Sequence, residues 1–166
     1  GSGDPGKWTA LGVLESIRAA LATMGKQVSE SSVMVSGLGS VGRVLVELLT
    51  AEGAKVYGAD IRKETVEAMV GAHGIEPLPL ASAIRERVDV YSPCAIGAIL
   101  NESTIPQLGC WAVVGSANNQ LASEDDARRL AARGILYVPD FIANAGGLID
   151  VADELDGDID PERVRR

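Results

Sequence analysis

Gly37-Leu38-Gly39-Ser40-Val41-Gly42 follows a short apolar run, Val33-Met34-Val35, and opens an amphipathic stretch from Val41 to Leu49. Strand, tight glycine turn and helix form the setting in which G-x-G-x-x-G signifies dinucleotide binding. The first glycine permits the turn, the second lets backbone approach a pyrophosphate, and the third lets the helix pack closely on the strand. Unpaired N–H groups at the helix start, with the positive end of the helix dipole, then face the phosphates. A lone hexapeptide of this form is weak, so the next strand matters. It reads Ala54-Lys55-Val56-Tyr57-Gly58-Ala59 and ends in Asp60, eighteen residues past Gly42. A carboxylate there can accept both hydroxyls of an adenosine ribose, as expected about 20 residues after the glycines. The plainer alternative, a structural glycine turn beside an ordinary strand-end aspartate, is disfavoured by the flanking pattern.

The chain of 166 residues fits one domain, residues 1–166, with a proper core. Hydrophobic residues make up 46% but aromatics only 4%, so Val, Leu, Ile and Ala must fill the interior. A net charge of −8 argues against nucleic acid or an anionic membrane as a general partner. Backbone amides can still supply a local field for phosphate. No apolar run approaches the ~18 residues of a membrane span, and Gly1-Ser2-Gly3-Asp4-Pro5 does not read as a signal peptide. Cys94 and Cys110 lack metal-ligand spacing and His73 has no evident partner. Reduced thiols in a cytoplasmic protein without a metal site are the expectation.

Upstream, Trp8 to Met24 carries one apolar helix face, with Asp4-Pro5 as its start and Gly25 as its stop. Lys26 to Ser32 is a polar connection. Beyond Asp60, Lys63 to Val70 reads as a helix closed by Gly71, Gly74 to Pro77 as a brief strand, and Ala81 to Arg87 as another helix. Val88 to Tyr91 is a strand by its β-branched content, halted by Ser92-Pro93-Cys94-Ala95. Thr104 to Leu108 predicts one helical turn, and Cys110 to Val114 a strand that ends in Gly115-Ser116-Ala117-Asn118-Asn119. Ser123-Glu124-Asp125-Asp126 starts a helix running to Ala132, before Gly134. Ile135 to Val138 is the last strand, Pro139 to Gly147 a loop, and Leu148 to Leu155 a final helix. Strands alternating with helices, and too continuously apolar for one-sided exposure, predict an α/β fold with a parallel sheet covered on both faces. The expectation is a Rossmann-type doubly wound sheet spanning residues 33–138, in strand order 3-2-1-4-5-6, with its crevice at the carboxyl ends of the first and fourth strands. Three strand ends carry unusual chemistry, at Gly37 to Gly42, Pro93-Cys94-Ala95 and Ala117-Asn118-Asn119, and all three should meet in that crevice.

These strand-end motifs, in this order, resemble the cofactor domain of the glutamate/leucine/phenylalanine/valine dehydrogenase family, and its leucine, valine and phenylalanine members most closely. The resemblance rests on Gly1 to Pro5 with Thr9-Ala10-Leu11-Gly12-Val13, Gly37 to Gly42, Pro93-Cys94-Ala95, and Gly115 to Asn119. It continues through Pro139-Asp140-Phe141, Asn144-Ala145-Gly146-Gly147 and Val151-Ala152-Asp153-Glu154-Leu155. Two departures are slight: Ser92 stands where Ala is expected, and Ala98 where a second Gly is usual.

The resemblance implies NAD as cofactor, held by Gly37, Leu38, Gly39, Ser40, Val41 and Gly42. Asp60 and Ile61 would hold its adenosine end, and Cys94 and Ala95 its middle. Thr9 and Asn144 would lie near the nicotinamide. Asn118, with Ala117 before it, would sit near the nicotinamide ribose and the substrate carboxylate. Leu148 and Val151 match positions that shape the side-chain pocket in branched-chain and aromatic amino-acid dehydrogenases, whose small-molecule substrates are an amino acid and its 2-oxo acid. The family's catalytic lysines and aspartate belong to a separate N-terminal domain; none of Lys7, Lys26, Lys55 and Lys63 lies in a matching motif. No catalytic residue is therefore expected within this chain, whose partners would be that N-terminal domain and further copies in a homo-oligomer.

Plainer readings stand beside several of these. Asn118-Asn119 could simply cap the following helix. Cys94 reads as a small buried residue rather than a nucleophile, and His73 as a solvated helix-end residue. Arg62 and Lys63 could in principle hold a 2′-phosphate, but first-turn charges of an exposed helix are favoured. At the level of function, a non-catalytic nucleotide-sensing module and a different NAD(P)-dependent enzyme remain as alternatives. The former gives no reason for Ser116-Ala117-Asn118-Asn119 and Asn144-Ala145-Gly146-Gly147. The latter lacks a His–Asp or Lys–Asp pairing at matched strand ends.

Overall fold

The computed structural model describes residues 4–95 and 97–143. Within them β1 (Ser32–Ser36), β2 (Lys55–Ala59), β3 (Glu76–Pro77), β4 (Val88–Pro93), β5 (Cys110–Val113) and β6 (Leu136–Tyr137) form one sheet. Every pairing is parallel, in the order β3-β2-β1-β4-β5-β6, as the alternating pattern predicts. The chain winds outward from β1 through β2 to β3, then returns to β4 on the other side of β1. That reversal leaves a gap between the connections leaving β1 and β4, where a doubly wound sheet places its ligand.

The helices α1 (Pro5–Thr23), α2 (Ser40–Ala51), α3 (Lys63–His73), α4 (Leu80–Ala83), α5 (Glu124–Ala132) and α6 (Asp140–Ala143) clothe the sheet. Side chains on β1 alternate between its faces. Val33 and Val35 pack with Ile17, Leu21, Leu45 and Leu49 on one side. Met34 packs with Tyr57, Tyr91, Val113 and Leu130 on the other. All three β1 residues are fully buried, so this strand is covered on both faces and reads as a continuous apolar run. At its lower end the Asp89 carboxylate accepts Ser32 N–H at 2.9 Å and pairs with Lys26 Nζ at 2.9 Å, which gives a charged residue on a central strand its partners.

Several boundaries differ from the sequence reading. The first helix begins at Pro5, since Asp4 Oδ1 accepts Gly6 N–H at 2.9 Å and proline suits the first helical position. It ends at Thr23. The third helix passes through Gly71 to His73 and stops at Gly74, whose φ of 66° is the left-handed terminator. The expected helix from Ala81 to Arg87 shrinks to α4, because the Ile84 carbonyl turns to accept Gly109 N–H on the way into β5. The last strand keeps only Leu136 and Tyr137, which pair with Ala112 and Val113. Within the expected loop from Pro139, residues 140–143 form α6, Ile142 and Ala143 donating to Pro139 O. The expected helix from Leu148 to Leu155 lies outside the described residues.

Where α5 starts, Asp126 Oδ2 accepts Ser123 N–H at 2.8 Å and Oδ1 takes Arg129 Nη1 at 2.8 Å. Burial pushes this carboxyl up, but the Arg129 and Ser123 donors outweigh it and hold it below its ordinary value. A depressed folded-state value contributes stability above the unfolded value of ~3.9 and loses it as pH falls through the folded one. D126N should therefore be less stable than the parent by about 1 kcal/mol at pH 7. Urea melts should show that gap closing below about pH 4.

Candidate functional site

The glycine turn separates into positions that the fold requires and one that it does not. Gly37 has φ 100°, and a β-carbon there would overlap Ala95. A β-carbon on Gly42 would run into the Gly37 carbonyl. Both are glycines because backbone lies against backbone. Gly39 is different: its φ is −80°, open to any residue, and nothing stands within 4 Å of where a β-carbon would sit. It is the N-cap of α2 and no side chain caps that helix. The first-turn amides of Ser40, Val41 and Gly42 thus head the helix without a side-chain acceptor, the arrangement that receives anions. Leu38 between them is fully buried and anchors the turn in the core.

Asp60 follows β2 and does more than the sequence reading assigned it. Its Oδ2 accepts Leu38 N–H at 2.7 Å and its Oδ1 accepts Arg62 N–H at 2.8 Å, while Arg62 Nε lies 3.6 Å away. Burial raises its carboxyl, but these two N–H donors and the guanidinium outweigh burial and keep it below the ordinary carboxylate range. Asp60 therefore braces the glycine turn from the neighbouring strand and is also the charged group at the crevice mouth. Lys63, by contrast, pairs with Glu67 at 3.8 Å on the exposed face of α3, as a first-turn charge should.

Beside Asp60 opens a pocket of about 330 Å³ whose walls include Ser36, Gly37, Ile61, Ile84, Tyr91 and Ile99. Ile61 is 81% exposed and Leu80 at the same pocket 37%. Large apolar side chains left to solvent around a cleft mark a surface that something covers. The sequence reading named Ile61 but missed Leu80, Ile84 and Ile99; the crossover from β3 to β4 carries Leu80 and Ile84 here, and the connection from β4 to β5 carries Ile99.

The three strand ends expected to meet do so through their backbones. Cys94 N–H donates to Ser36 O at 2.8 Å and Ala117 N–H to Pro93 O at 3.0 Å. Ala95 abuts Gly37, and the Cys94 β-carbon would lie 3.6 Å from one on Gly42. A β-carbon on Gly97 would stand 2.6 Å from Asn118 O. Asn118 itself is exposed in this turn. Thr9 lies on α1 with its hydroxyl donating to Pro5 O at 3.1 Å, and nearby Gly6 approaches Ser40 O. Asn144, Leu148 and Val151 lie outside the described residues. Neither cysteine has a ligand set: no group of three or more metal-binding side chains occurs among the described residues. Burial pushes the Cys110 thiol up to about 11, so it stays protonated at neutral pH and is no nucleophile. Among the described residues no helix is long and apolar enough to cross a membrane.

Six parallel strands in this order, with a glycine turn leading from β1 into α2, define a Rossmann-like domain. The sequence pattern of the Glutamate/Leucine/Phenylalanine/Valine dehydrogenase family matches residues 1–60 and 59–160, and the chain belongs to that family. It is 44% identical to the valine dehydrogenase of Streptomyces albus over 165 residues, covering 95% of this chain and 44% of that protein. It is 40% identical to the phenylalanine dehydrogenase of Bacillus thermotolerans over 171 residues, covering 99% of this chain and 44% of that one. The crystal structure of L-tryptophan dehydrogenase from Nostoc punctiforme superposes with a TM-score of 0.88 at 35% identity, over 98% of this chain and 50% of that one. The chain thus spans about half the length of the relatives it matches.

Ala98, where the family resemblance led us to expect glycine, has φ 54°. A left-handed alanine is strained by about 1 kcal/mol, part of which glycine gives back in chain entropy. A98G should raise stability by about 0.5 kcal/mol in thermal or urea unfolding.

Proposed function

We propose that this chain is the NAD-binding half of an L-amino-acid dehydrogenase, which interconverts a branched-chain, aliphatic or aromatic amino acid and its 2-oxo acid. The observation that carries the reading is Gly39. The fold gives it no reason to lack a side chain, with an ordinary φ and open space around it, so the reason is sought in a ligand whose phosphates need the backbone within reach. The amides of Ser40, Val41 and Gly42 would hold that pyrophosphate, and Gly37, Leu38 and Gly42 would shape the turn beneath it. Asp60 and Ile61 would take the adenosine, with the apolar pocket beside them for the base. Cys94, Ala95 and Ala117 would line the middle of the cofactor. Thr9, Asn118 and Asn144 would orient its nicotinamide end, and Asn118, Leu148 and Val151 would face the amino acid. When bound, the nicotinamide supplies hydride transfer at the substrate α-carbon. The chain's own work is to position the ring, since displacement by ~1 Å can lower a rate about a hundredfold. Proton transfers belong to lysines and an aspartate on an N-terminal domain, in a cytoplasmic homo-oligomer of the whole protein.

Two measurements test this. Titrated with cofactor, the parent should bind NADH more tightly than NADPH, because the Asp60 charge repels a 2′-phosphate. Gly39→Ala should keep the parent's melting temperature within a few degrees yet lose NADH about tenfold or more. Unchanged NADH binding by the alanine variant would show that no phosphate lies there. The second measurement is turnover: the chain alone should not oxidise amino acids, and adding an N-terminal domain of the family should restore NAD reduction. Aliphatic substrates should exceed phenylalanine, since Leu148 fills more space than an aromatic pocket wants, by the ~1–3 kcal/mol that a methylene is worth. Turnover by the chain alone would instead identify an oxidoreductase complete within this domain. Cofactor binding with no turnover in any combination would favour a sensing module.

A further inference from the structure

One carboxylate at the carboxyl edge of the sheet joins two turns. Asp140 Oδ2 accepts Asn119 N–H at 2.8 Å. Asn119 has φ 52°, a left-handed geometry that a non-glycine residue keeps only when its surroundings enforce it. Other bonds hold the rest of this turn: Ala98 N–H donates to Asn119 O at 2.6 Å, and Gln120 Nε2, on a fully buried side chain, donates to Gly115 O at 2.9 Å. These fix the flanks. The Asn119 N–H belongs to the peptide plane that follows Asn118, so its acceptor sets the ψ angle of Asn118 and with it where that side chain is carried. The acceptor is charged, which makes the bond of the stronger kind. It also sits at the head of α6, a helix packed on α1, so the turn after β5 is tied to the segment after β6. Tyr137 stands beside the same carboxylate: burial first, then the Asp140 charge, holds its phenol above the usual range.

We propose that Asp140 is a positioning residue, whose carboxylate fixes the Asn118–Asn119 turn and so orients Asn118 toward the nicotinamide half of the cofactor. This rests on the NAD reading above. In this role the carboxylate would act through the peptide it holds and not by contact with cofactor or substrate. Its loss should therefore be felt at one end of the dinucleotide and not at the other.

NADH and ADP separate the two ends, because ADP carries the adenosine and both phosphates but no nicotinamide riboside. D140A should weaken NADH about tenfold, the loss expected for a charge-assisted hydrogen bond, while ADP affinity stays within about twofold. D140N, whose amide oxygen still accepts Asn119 N–H, should recover most of the NADH loss. D140E keeps the charge on a longer arm; it should show the same selective loss and gives a second reading should D140A fail to fold. Equal losses for NADH and ADP would overturn the inference by showing general loosening, as would unchanged NADH binding in both D140A and D140E. D140N as weak as D140A would remove its hydrogen-bond basis. A parent chain that binds neither NADH nor ADP would sink the cofactor reading itself, whereas a parent that binds both with variants unaffected would sink the positioning role alone.

Discussion

Among the described residues the closest constraint is the passage of the Gly37 carbonyl against Gly42. No β-carbon fits between them, so β1 can turn into α2 only over a bare backbone. That contact fixes the angle at which α2 leaves the sheet, and hence which of its faces is buried. Leu45, Val46 and Leu49 then meet Val33 and Val35. The direction of the helix axis also places its amino end at the crevice. A substitution at Gly42 would disturb packing, whereas the fold leaves room for one at Gly39. Within one short motif, then, the fold itself demands a glycine at one position and not at another.

Around that contact the fold puts its aspartates to structural use. Asp60, Asp89 and Asp140 each accept a backbone N–H from another part of the chain, from Leu38, Ser32 and Asn119, and Asp126 accepts that of Ser123 at the head of its own helix. Carboxylates in these places do the joining that side-chain size cannot do in a core with 4% aromatics. Charge-assisted bonds of this type are shorter and stronger than neutral ones, and they define position more sharply than aliphatic contacts, which tolerate sliding. Asp60 shows the consequence for design: removing it to alter cofactor preference would also release Leu38 and disturb the glycine turn.

The crevice is assembled from backbone more than from side chains. Cys94 to Ser36, Ala117 to Pro93 and Ala98 to Asn119 are all main-chain bonds, and Gly97 and Gly115 admit the close approaches beside them. This explains why small residues crowd the ends of β4 and β5. The exposed apolar side chains Ile61 and Leu80 stand at the pocket beside Asp60.

The sequence by itself determined the architecture, since period and punctuation are local properties. Val33 to Gly42, the strand ending at Asp60 and the alternation that follows are enough to set six parallel strands in their order, because a parallel sheet with helical crossovers has few other solutions. Helix and strand ends were less legible. Gly71 resembles a stop until Gly74 supplies the left-handed turn, and Ile84 resembles helix until Gly109 claims its carbonyl. The tertiary structure alone decided the apolar pocket, because Leu80 and Ile84 come to Asp60 on the crossover from β3 to β4 and Ile99 on the connection from β4 to β5. It alone assigned Asp60 to Leu38 and Asp140 to Asn119, bonds 22 and 21 residues apart along the chain. A carboxylate carries no local mark of its acceptor role; only the folding of distant segments onto one another gives it the N–H it will hold.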